Sequence, residues 1–146
     1  MTDGVPEPVV FEPAGQRILP LLEKQTGYFW TGGAQGQLLI ARCDRCYRYQ
    51  HPPFERCAAC GGEALTPAPV SGRGRVATFT INHERWTPGM AVPFVFAAVE
   101  LAEQAALYIF SNILAPVDQV RIGMPVSVCF ERHGEIFLPL FRPAVQ

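Results

Sequence analysis

The sequence predicts a mainly β protein in which an N-terminal helix and a four-cysteine zinc ribbon precede a five-stranded barrel. Two observations carry this prediction: two C-x-x-C pairs stand in the first half of the chain, and five short apolar runs separated by turn residues fill the second half. With 146 residues and 49% apolar side chains, the chain can build a core without disulfides. We expect three units: an arm and helix over 1–36, the ribbon over 37–70 and the barrel over 71–146.

The N-terminal unit combines a proline-containing arm with a predicted helix. Residues 1–15 hold three prolines and are expected to be extended and partly disordered. Pro20 suits the first position of a helix and Gly32-Gly33 would end it, so we predict a helix from Pro20 to Trp30. Its apolar face would pack on the rest of the chain or, alternatively, dock another protein. The candidates for a partner contact are three aromatic residues, Tyr28, Phe29 and Trp30.

The clustered cysteines predict a closed metal site. Cys43-x-x-Cys46 and Cys57-x-x-Cys60 are two knuckles with ten residues between them. Two intervening residues let the chain turn back on itself, so two such pairs complete the tetrahedral four-cysteine shell of Zn²⁺. Rubredoxin-like iron takes the same ligands, but nothing else in the sequence indicates electron transfer. Because four protein ligands leave no open position, the zinc is expected to be structural rather than catalytic.

Apolar runs from residue 71 onwards predict five strands. They cover residues 76–81, 94–101, 107–114, 126–130 and 136–141, and turn residues mark three of the junctions: Pro88-Gly89, Gly123 with Pro125, and His133-Gly134. Five short strands of this kind favour an OB-fold barrel. The segment 66–69, Thr-Pro-Ala-Pro, is interpreted as a short stiff linker. Cys129 is expected to be a buried small apolar residue, and Glu131 and His133 are expected to be solvated at a turn.

No complete catalytic set stands out, and three residues are candidates for a ligand channel: Arg73, His83 and Trp86. The run Ser71-Gly72-Arg73-Gly74-Arg75 offers two arginines that suit phosphate, or it forms a flexible joint between ribbon and barrel. The segment His83-Glu84-Arg85-Trp86 ends the first barrel strand. It is either a polar strand end or one wall of a ligand groove.

The net charge argues against nucleic-acid binding, and the sequence shows no pattern of a membrane span or a signal peptide. The net charge is −1, and eleven of the twelve basic residues are arginine, so a basic surface for nucleic acid is not indicated. No run approaches the roughly 18 apolar residues of a membrane span, and the N-terminus lacks the pattern of a signal peptide. Cysteines arranged as a metal set fit a reducing cytoplasm.

An ordered set of motifs carries a resemblance to a known family. The motifs are Phe29-Trp30, Cys43-x-x-Cys46, Pro52-Pro53, Cys57-x-x-Cys60-Gly61, Val70-Ser71-Gly72-Arg73-Gly74, Pro93-Phe94-Val95, Arg121-Ile122-Gly123-Met124-Pro125-Val126, Leu138-Pro139 and Phe141-Arg142-Pro143. Together they resemble the small acyl-CoA-associated proteins that join a rubredoxin-like zinc ribbon to an OB-fold. The resemblance covers about residues 17–143, and the ribbon and the 121–126 turn are its most specific parts. The segment 83–86 lies where family members vary widely.

The resemblance implies a function that the residues alone do not show. Such proteins form complexes with thiolase-like enzymes, including the lipid-transfer-protein type, whose fold carries the catalytic residues. The complexes catalyse thiolysis, acyl transfer or retro-aldol cleavage of acyl-CoA side chains, some of them in lipid or steroid metabolism. We therefore expect a non-catalytic subunit that supports assembly of the complex and meets a coenzyme A thioester through it.

Two alternatives stay open. The first is a single-stranded nucleic-acid-binding module, for which the ribbon offers a cluster of arginines and aromatic residues: Arg42, Arg45, Arg48, Arg56, Tyr47, Tyr49 and Phe54. The second is a standalone acyl-CoA hydrolase or hydratase, which would need an acid–base residue such as His83 in a cleft.

Overall fold

The structure is a computed structural model that describes residues 9–144 and contains nine strands and one short α-helix. The strands are β1 (Val10–Phe11), β2 (Leu38–Cys43), β3 (Tyr49–Gln50), β4 (Leu65–Val70), β5 (Arg73–Asn82), β6 (Phe94–Leu101), β7 (Tyr108–Ile113), β8 (Pro125–His133) and β9 (Ile136–Pro143). The helix α1 spans Gly27–Thr31, and 3-10 turns cover Gly32–Gln35 and Val117–Gln119. The predicted mainly β class is confirmed.

Strands β5 to β9 close into the predicted five-stranded OB-fold barrel. Antiparallel pairs join β5 to β6, β6 to β7, β8 to β9 and β5 to β8, and a parallel pairing of β7 with β9 closes the barrel. The predicted bounds of the second barrel strand, 94–101, are those of β6. Alternate side chains point inward because successive residues of a strand face opposite sides. The resulting core holds Phe130 and Phe141, both fully buried.

The ribbon is a separate three-stranded sheet in the order β3-β2-β4. Its strand β4 corrects the prediction of a linker over 66–69, since all six of its residues pair with β2. Proline cannot donate to a ladder and is therefore found at sheet edges. Pro67 and Pro69 meet that condition, because β4 is an edge strand whose prolines lie opposite Ala41 and Leu39.

The prediction of a helix over 20–30 is wrong: the helix begins later than predicted, and the two glycines do not stop the helical backbone. Helix α1 has five residues, and the two glycines continue it as a 3-10 turn. Leu21 is 80% exposed, so the first half of the predicted face has nothing to pack against, and such a short helix depends on packing. Gly33 is required for a different reason: a Cβ there would lie 2.5 Å from Cβ of Phe137 and 2.7 Å from Cδ1 of Phe130.

The described part of the N-terminal arm lies along the barrel. Strand β1 pairs in parallel with β8, and Arg17 bonds to Glu131 and, at 3.0 Å, to Asn112. Of the arm expected to be extended and partly disordered, residues 10–11 are extended as strand β1, and residues 1–8 lie outside the described residues. The expectation that Glu131 and His133 are solvated is wrong. Glu131 is 6% exposed, and its Oε1 lies 2.8 Å from Nε2 of His133. The burial of its carboxylate is compensated by the ion pair with Arg17, which comes from a distant part of the chain.

A hydrogen-bonded side chain, Gln104, contributes to the junction between the ribbon and the barrel. Gln104, in the turn between β6 and β7, accepts a hydrogen bond from the Tyr49 N–H at 2.8 Å and donates one to the Tyr49 carbonyl at 2.9 Å. Its amide therefore satisfies both backbone groups of one residue on β3. Across residues 9–144, no helix has both the length and the apolar character needed to span a membrane.

Candidate metal centre and neighbouring clefts

The four predicted cysteines meet in one cluster at the end of the ribbon sheet. Their four Sγ atoms all lie within 4.8 Å of one another, and the Cys43–Cys60 and Cys46–Cys57 sulfur pairs are 3.6 Å apart. A tetrahedral shell with Zn–S bonds of about 2.3 Å places its sulfurs about 3.8 Å apart. The sulfurs are therefore arranged for a single metal ion with four thiolate ligands. Elsewhere in the described chain, no comparable group of metal-binding side chains is present.

Backbone N–H groups surround the sulfurs. The N–H groups of Arg45 and Cys46 point at Cys43 Sγ at 3.4 and 3.5 Å, and that of Ala59 points at Cys57 Sγ at 3.4 Å. Hydrogen bonds from Cys46 and Arg45 lower the pKa of the Cys43 thiol to about 6. Because a metal binds the thiolate, these N–H groups favour the form that a metal needs.

The two knuckles share one backbone design. Tyr47 and Gly61 each follow the second cysteine of a pair, adopt positive φ angles of 66° and 75°, and donate to the carbonyl of the first cysteine. Glycine accommodates this conformation freely, whereas tyrosine does so at a cost. Gly62 leaves room for the metal site, since a Cβ there would lie 3.2 Å from Cys43 Sγ.

The loop between the knuckles carries a buried histidine. The ring of His51 stacks on Phe29 with centroids 4.6 Å apart, and its Nδ1 is buried without a hydrogen-bond partner among the described residues. Burial lowers the pKa of His51 to about 4, so the ring is neutral at pH 7. His51 therefore packs α1 against the ribbon, and it is not a member of the four-cysteine group.

The three predicted ligand-channel residues do not lie together. Arg73 is at the start of β5, whereas His83 and Trp86 follow its end, so the length of the strand separates them. Trp86 is 69% exposed and donates its indole N–H to Asn82 Oδ1 at 3.1 Å. Arg73 lines a cleft of about 470 Å³ together with Arg75. A ligand role for each residue stays a prediction, but one small ligand cannot contact all three.

The three predicted partner-contact residues are largely used within the chain. Phe29 is 6% exposed in the main core, and Trp30 packs its ring edge-to-face on Phe29 with centroids 4.8 Å apart. Tyr28 is half-buried, and its hydroxyl has no hydrogen-bond partner within residues 9–144. Burial raises the pKa of this phenol. A partner could reach Tyr28 and Trp30 only along their exposed edges, and this contact stays a prediction.

Sequence reasoning missed two features near these candidates. The first is the contact of buried Glu131 with His133 and with Arg17, which lies far from them in sequence and carries no local pattern. The second is the pair of hydrogen bonds between the side-chain amide of Gln104 and the backbone of Tyr49. Two clefts, one at Arg73 and one at Tyr28, contain no histidine and no cysteine among the described residues of their walls.

Comparisons with known proteins agree with this arrangement. A family model described as the rubredoxin-like zinc ribbon domain of ChsH2 matches residues 30–66, and one described as the C-terminal OB-fold domain of ChsH2 matches residues 68–131. A solved chain of the Ltp2-ChsH2(DUF35) aldolase superposes with a TM-score of 0.78 and 31% identity. That match covers 87% of this chain and 100% of the other.

Curated relatives carry acyl-CoA names. The probable enoyl-CoA hydratase alpha subunit of Thermomonospora curvata is 33% identical over 135 residues, which is 92% of this chain and 42% of the relative. The benzoylsuccinyl-CoA thiolase subunit BbsA of Thauera aromatica is 30% identical over 67 residues, 46% of each chain. The matches therefore span less than half the length of these two relatives. Two domain models in the same order and a structural match over most of the chain show that it belongs to the ChsH2 (DUF35) family, in which a rubredoxin-like zinc ribbon is joined to an OB-fold.

Proposed function

We propose that the chain is a non-catalytic, zinc-binding subunit of a thiolase-like acyl-CoA enzyme. One observation carries the proposal: the chain matches the whole length of one chain of the Ltp2-ChsH2(DUF35) aldolase at 31% identity. The partner would be a thiolase, an acyltransferase or a side-chain retro-aldolase. In this view the partner supplies the reacting groups, and this chain supports assembly and the acyl-CoA channel in the cytoplasm.

The chemistry of the described residues supports a non-catalytic role. Four cysteines would complete the shell of a tetrahedral metal ion and would leave no position for substrate or water. His51 is buried and neutral, and His133 is held by Glu131. His83 is exposed beyond β5. None of the three histidines lines the cleft at Arg73 or the cleft at Tyr28, where a general base could reach a substrate.

We infer that the resident metal is Zn²⁺ in a structural role. The sulfur spacing, the all-thiolate donor set and the N–H groups directed at the sulfurs fit Zn²⁺. When bound, the ion would cross-link the two knuckles, and the thiolates would be held by the backbone around them. Iron would fit the same four sulfurs, so the metal content of protein purified without added metal tests the assignment. A colourless protein with one zinc per chain is expected, and a red protein with one iron per chain would contradict it.

Isolation from native cells tests the proposed partnership. The chain would carry an affinity tag on its C-terminus, and mass spectrometry would identify what is recovered with it. A thiolase-like protein in near-equal amount supports the proposal, and the isolated complex should then act on an acyl-CoA thioester. Recovery of the chain alone as a zinc-loaded monomer would overturn it. Turnover of an enoyl-CoA by the purified chain, lost in His83→Ala, would instead support the standalone hydratase.

A single-stranded nucleic-acid module is the second candidate, and one observation favours it. Phe96 and Phe110 are exposed on the outer faces of β6 and β7, with near-parallel rings whose centroids are 6.2 Å apart. Aromatic residues at this place in OB-folds stack on bases. Arg45 and Arg48 lie on the ribbon, but the net charge of −1 opposes binding of a polyanion. Salt-dependent binding of a single-stranded oligonucleotide, lost in Phe110→Ala, would favour this function.

A further inference from the structure

The cleft at Arg73 has the composition of an anion site. It lies where the start of β5, the turn between β6 and β7 and the start of β8 come together, and it measures about 470 Å³. One part of its wall is apolar, with Leu101, Ala102 and Pro125, and another part carries Arg73 and Arg75. Such a combination of an apolar wall with a few polar groups is typical of small-molecule sites.

The two arginines lie on the same side of the strand and lack acidic partners. They are two residues apart on β5, so their side chains project from the same face. An N–H of Arg75 donates to the Gly123 carbonyl at 3.1 Å, which fixes one edge of that guanidinium. Within residues 9–144, neither guanidinium has a carboxylate oxygen within 4.0 Å. Their remaining N–H groups are therefore available to a ligand.

Nearby carboxylates are engaged by the backbone. Glu100 lines the cleft opposite Arg75 on β6, but its Oε2 accepts the Ala106 N–H at 2.8 Å. Glu103 lies in the adjoining turn, and its Oε2 accepts the Ser71 N–H at 2.7 Å. The described cleft wall thus carries two arginines and one carboxylate, and that carboxylate is held by a turn rather than by an arginine.

The glycines of the Ser71–Arg75 run serve the backbone. Gly72 has a φ of +78°, and a Cβ there would overlap with Cγ1 of Val128. A Cβ on Gly74 would lie 2.5 Å from the Glu100 carbonyl oxygen. The run is therefore a tight turn from β4 into β5, and it places Arg73 and Arg75 in the first three residues of β5.

We propose that this cleft binds the phosphate groups of a small-molecule ligand, with Arg73 and Arg75 as the anion-binding residues. A guanidinium donates two parallel hydrogen bonds to a phosphate, and two arginines on one strand suit a ligand with more than one phosphate. The apolar wall would contact the organic part next to the phosphates. The choice of coenzyme A as that ligand rests on the proposed function, whereas the anion site itself does not.

Titration of the isolated, zinc-loaded full chain tests this site by two-dimensional ¹⁵N NMR. The probes are coenzyme A, inorganic pyrophosphate and pantetheine, each at concentrations up to the millimolar range. Coenzyme A and pyrophosphate are expected to shift the amides of residues 71–75 and 100–106, and pantetheine, which lacks phosphate, is not. Arg73→Gln should weaken coenzyme A binding about tenfold, since a charge-assisted bond is lost. Arg48→Gln removes a ribbon arginine as the matched control and should leave the affinity unchanged.

Each alternative result has a defined meaning. Absence of shifts at residues 71–75 with all three probes, in a chain that is folded and zinc-loaded, would overturn the site. Equal shifts with pantetheine would show that the arginines are not used, and this would also overturn it. Stronger binding of a single-stranded oligonucleotide, weakened equally by Arg73→Gln, would replace the small molecule with a nucleic acid. Recovery of no thiolase-like partner from cells leaves these expectations unchanged, so the two proposals fail separately.

Discussion

The ribbon sheet and the barrel differ in what fills their interiors. The barrel encloses apolar side chains from all five of its strands, with Val99, Phe130 and Phe141 fully buried. The ribbon strand β2 sends Leu38 and Ile40 into that same core, and the tip of the ribbon encloses sulfur atoms instead. The barrel can therefore fold by burying apolar side chains, whereas the ribbon depends on a metal ion and on the packing of β2 in the barrel core.

Loss of the metal should give the largest effect and should separate the two regions. Binding of Zn²⁺ to such sites supplies about 10–16 kcal/mol of apparent folding free energy, so chelation, or Cys43→Ser with Cys60→Ser, should unfold the knuckles. Hydrogen exchange should then show loss of protection in the zinc knuckles and β3, while β6 and β8 stay protected. Cys129→Ala is the matched control and should retain one metal per chain. Simultaneous loss of protection in β6 and β8 would mean that the two regions form one cooperative unit.

A cavity in the barrel should give the next largest effect. Phe130→Ala removes a fully buried ring and should lower the free energy of unfolding by about 3–5 kcal/mol, measured by urea denaturation. Phe110→Ala provides the control on a 66% exposed ring and should cost less than about 0.5 kcal/mol. The metal content should stay unchanged in both variants. A larger loss for Phe110→Ala than for Phe130→Ala would show that the apolar core is not where the barrel gains its stability.

A pH effect of intermediate size should arise where the helix meets the ribbon. The pKa of His51 is lowered to about 4 in the folded chain and is about 6.5 when unfolded, so the unfolded chain binds the extra proton first. This contribution to stability is complete above pH 6.5 and decreases as the pH falls towards 4. It should cost about 2 kcal/mol between about pH 7 and pH 5.

A comparison of variants isolates this contribution from that of the cysteines. His51→Gln should show a shallower decrease in stability between about pH 7 and pH 5 than the natural chain, with urea denaturation as the measurement. The thiolates titrate in both proteins, so their effect cancels in the difference. Parallel pH profiles would show that His51 is not buried as a neutral ring.

The smallest effect should come from the surface of the ribbon. Arg56 and Glu63 form an ion pair at 3.0 Å, but both side chains are more than 60% exposed. Exposed pairs contribute little because water and salt screen them. Arg56→Gln should change the free energy of unfolding by less than about 0.5 kcal/mol and should leave the metal content unchanged. A loss as large as that of Phe130→Ala would show that the ribbon is held by its charges as well as by its metal.

The same division explains what the sequence could predict. The clustering of cysteines follows from a local spacing rule and the barrel strands follow from local alternation, so the group Cys43, Cys46, Cys57 and Cys60 and the bounds of β6 are predicted correctly. The local sequence predicts a linker where strand β4 lies, because prolines are acceptable in a strand only at a sheet edge and the topology sets which strand is at the edge. The predicted helix is longer than α1 because the apolar pattern of the sequence continues to Leu21. No part of the described chain covers the Leu21 side chain.

Long-range polar contacts were beyond local reasoning. Glu131 looks solvated next to a turn, and only the arrival of Arg17 makes its burial acceptable. Likewise, the sequence of the Ser71–Arg75 run is compatible with a phosphate-binding turn or with a flexible joint between the ribbon and the barrel. The glycines at positions 72 and 74 allow close approach of Val128 and Glu100, which come from other strands and are not visible in the local sequence.

Gln104 has a mechanical consequence for the whole molecule. Its amide holds both backbone groups of Tyr49, as a neighbouring strand would, so the ribbon cannot rotate on the barrel unless two hydrogen bonds break or the turn between β6 and β7 moves with it. That turn also forms one rim of the Arg73 cleft. Gln104 therefore connects strand β3 of the ribbon directly to the rim of the cleft. A displacement of the ribbon would therefore reach the rim of the cleft through Gln104 and the barrel core through Leu38 and Ile40.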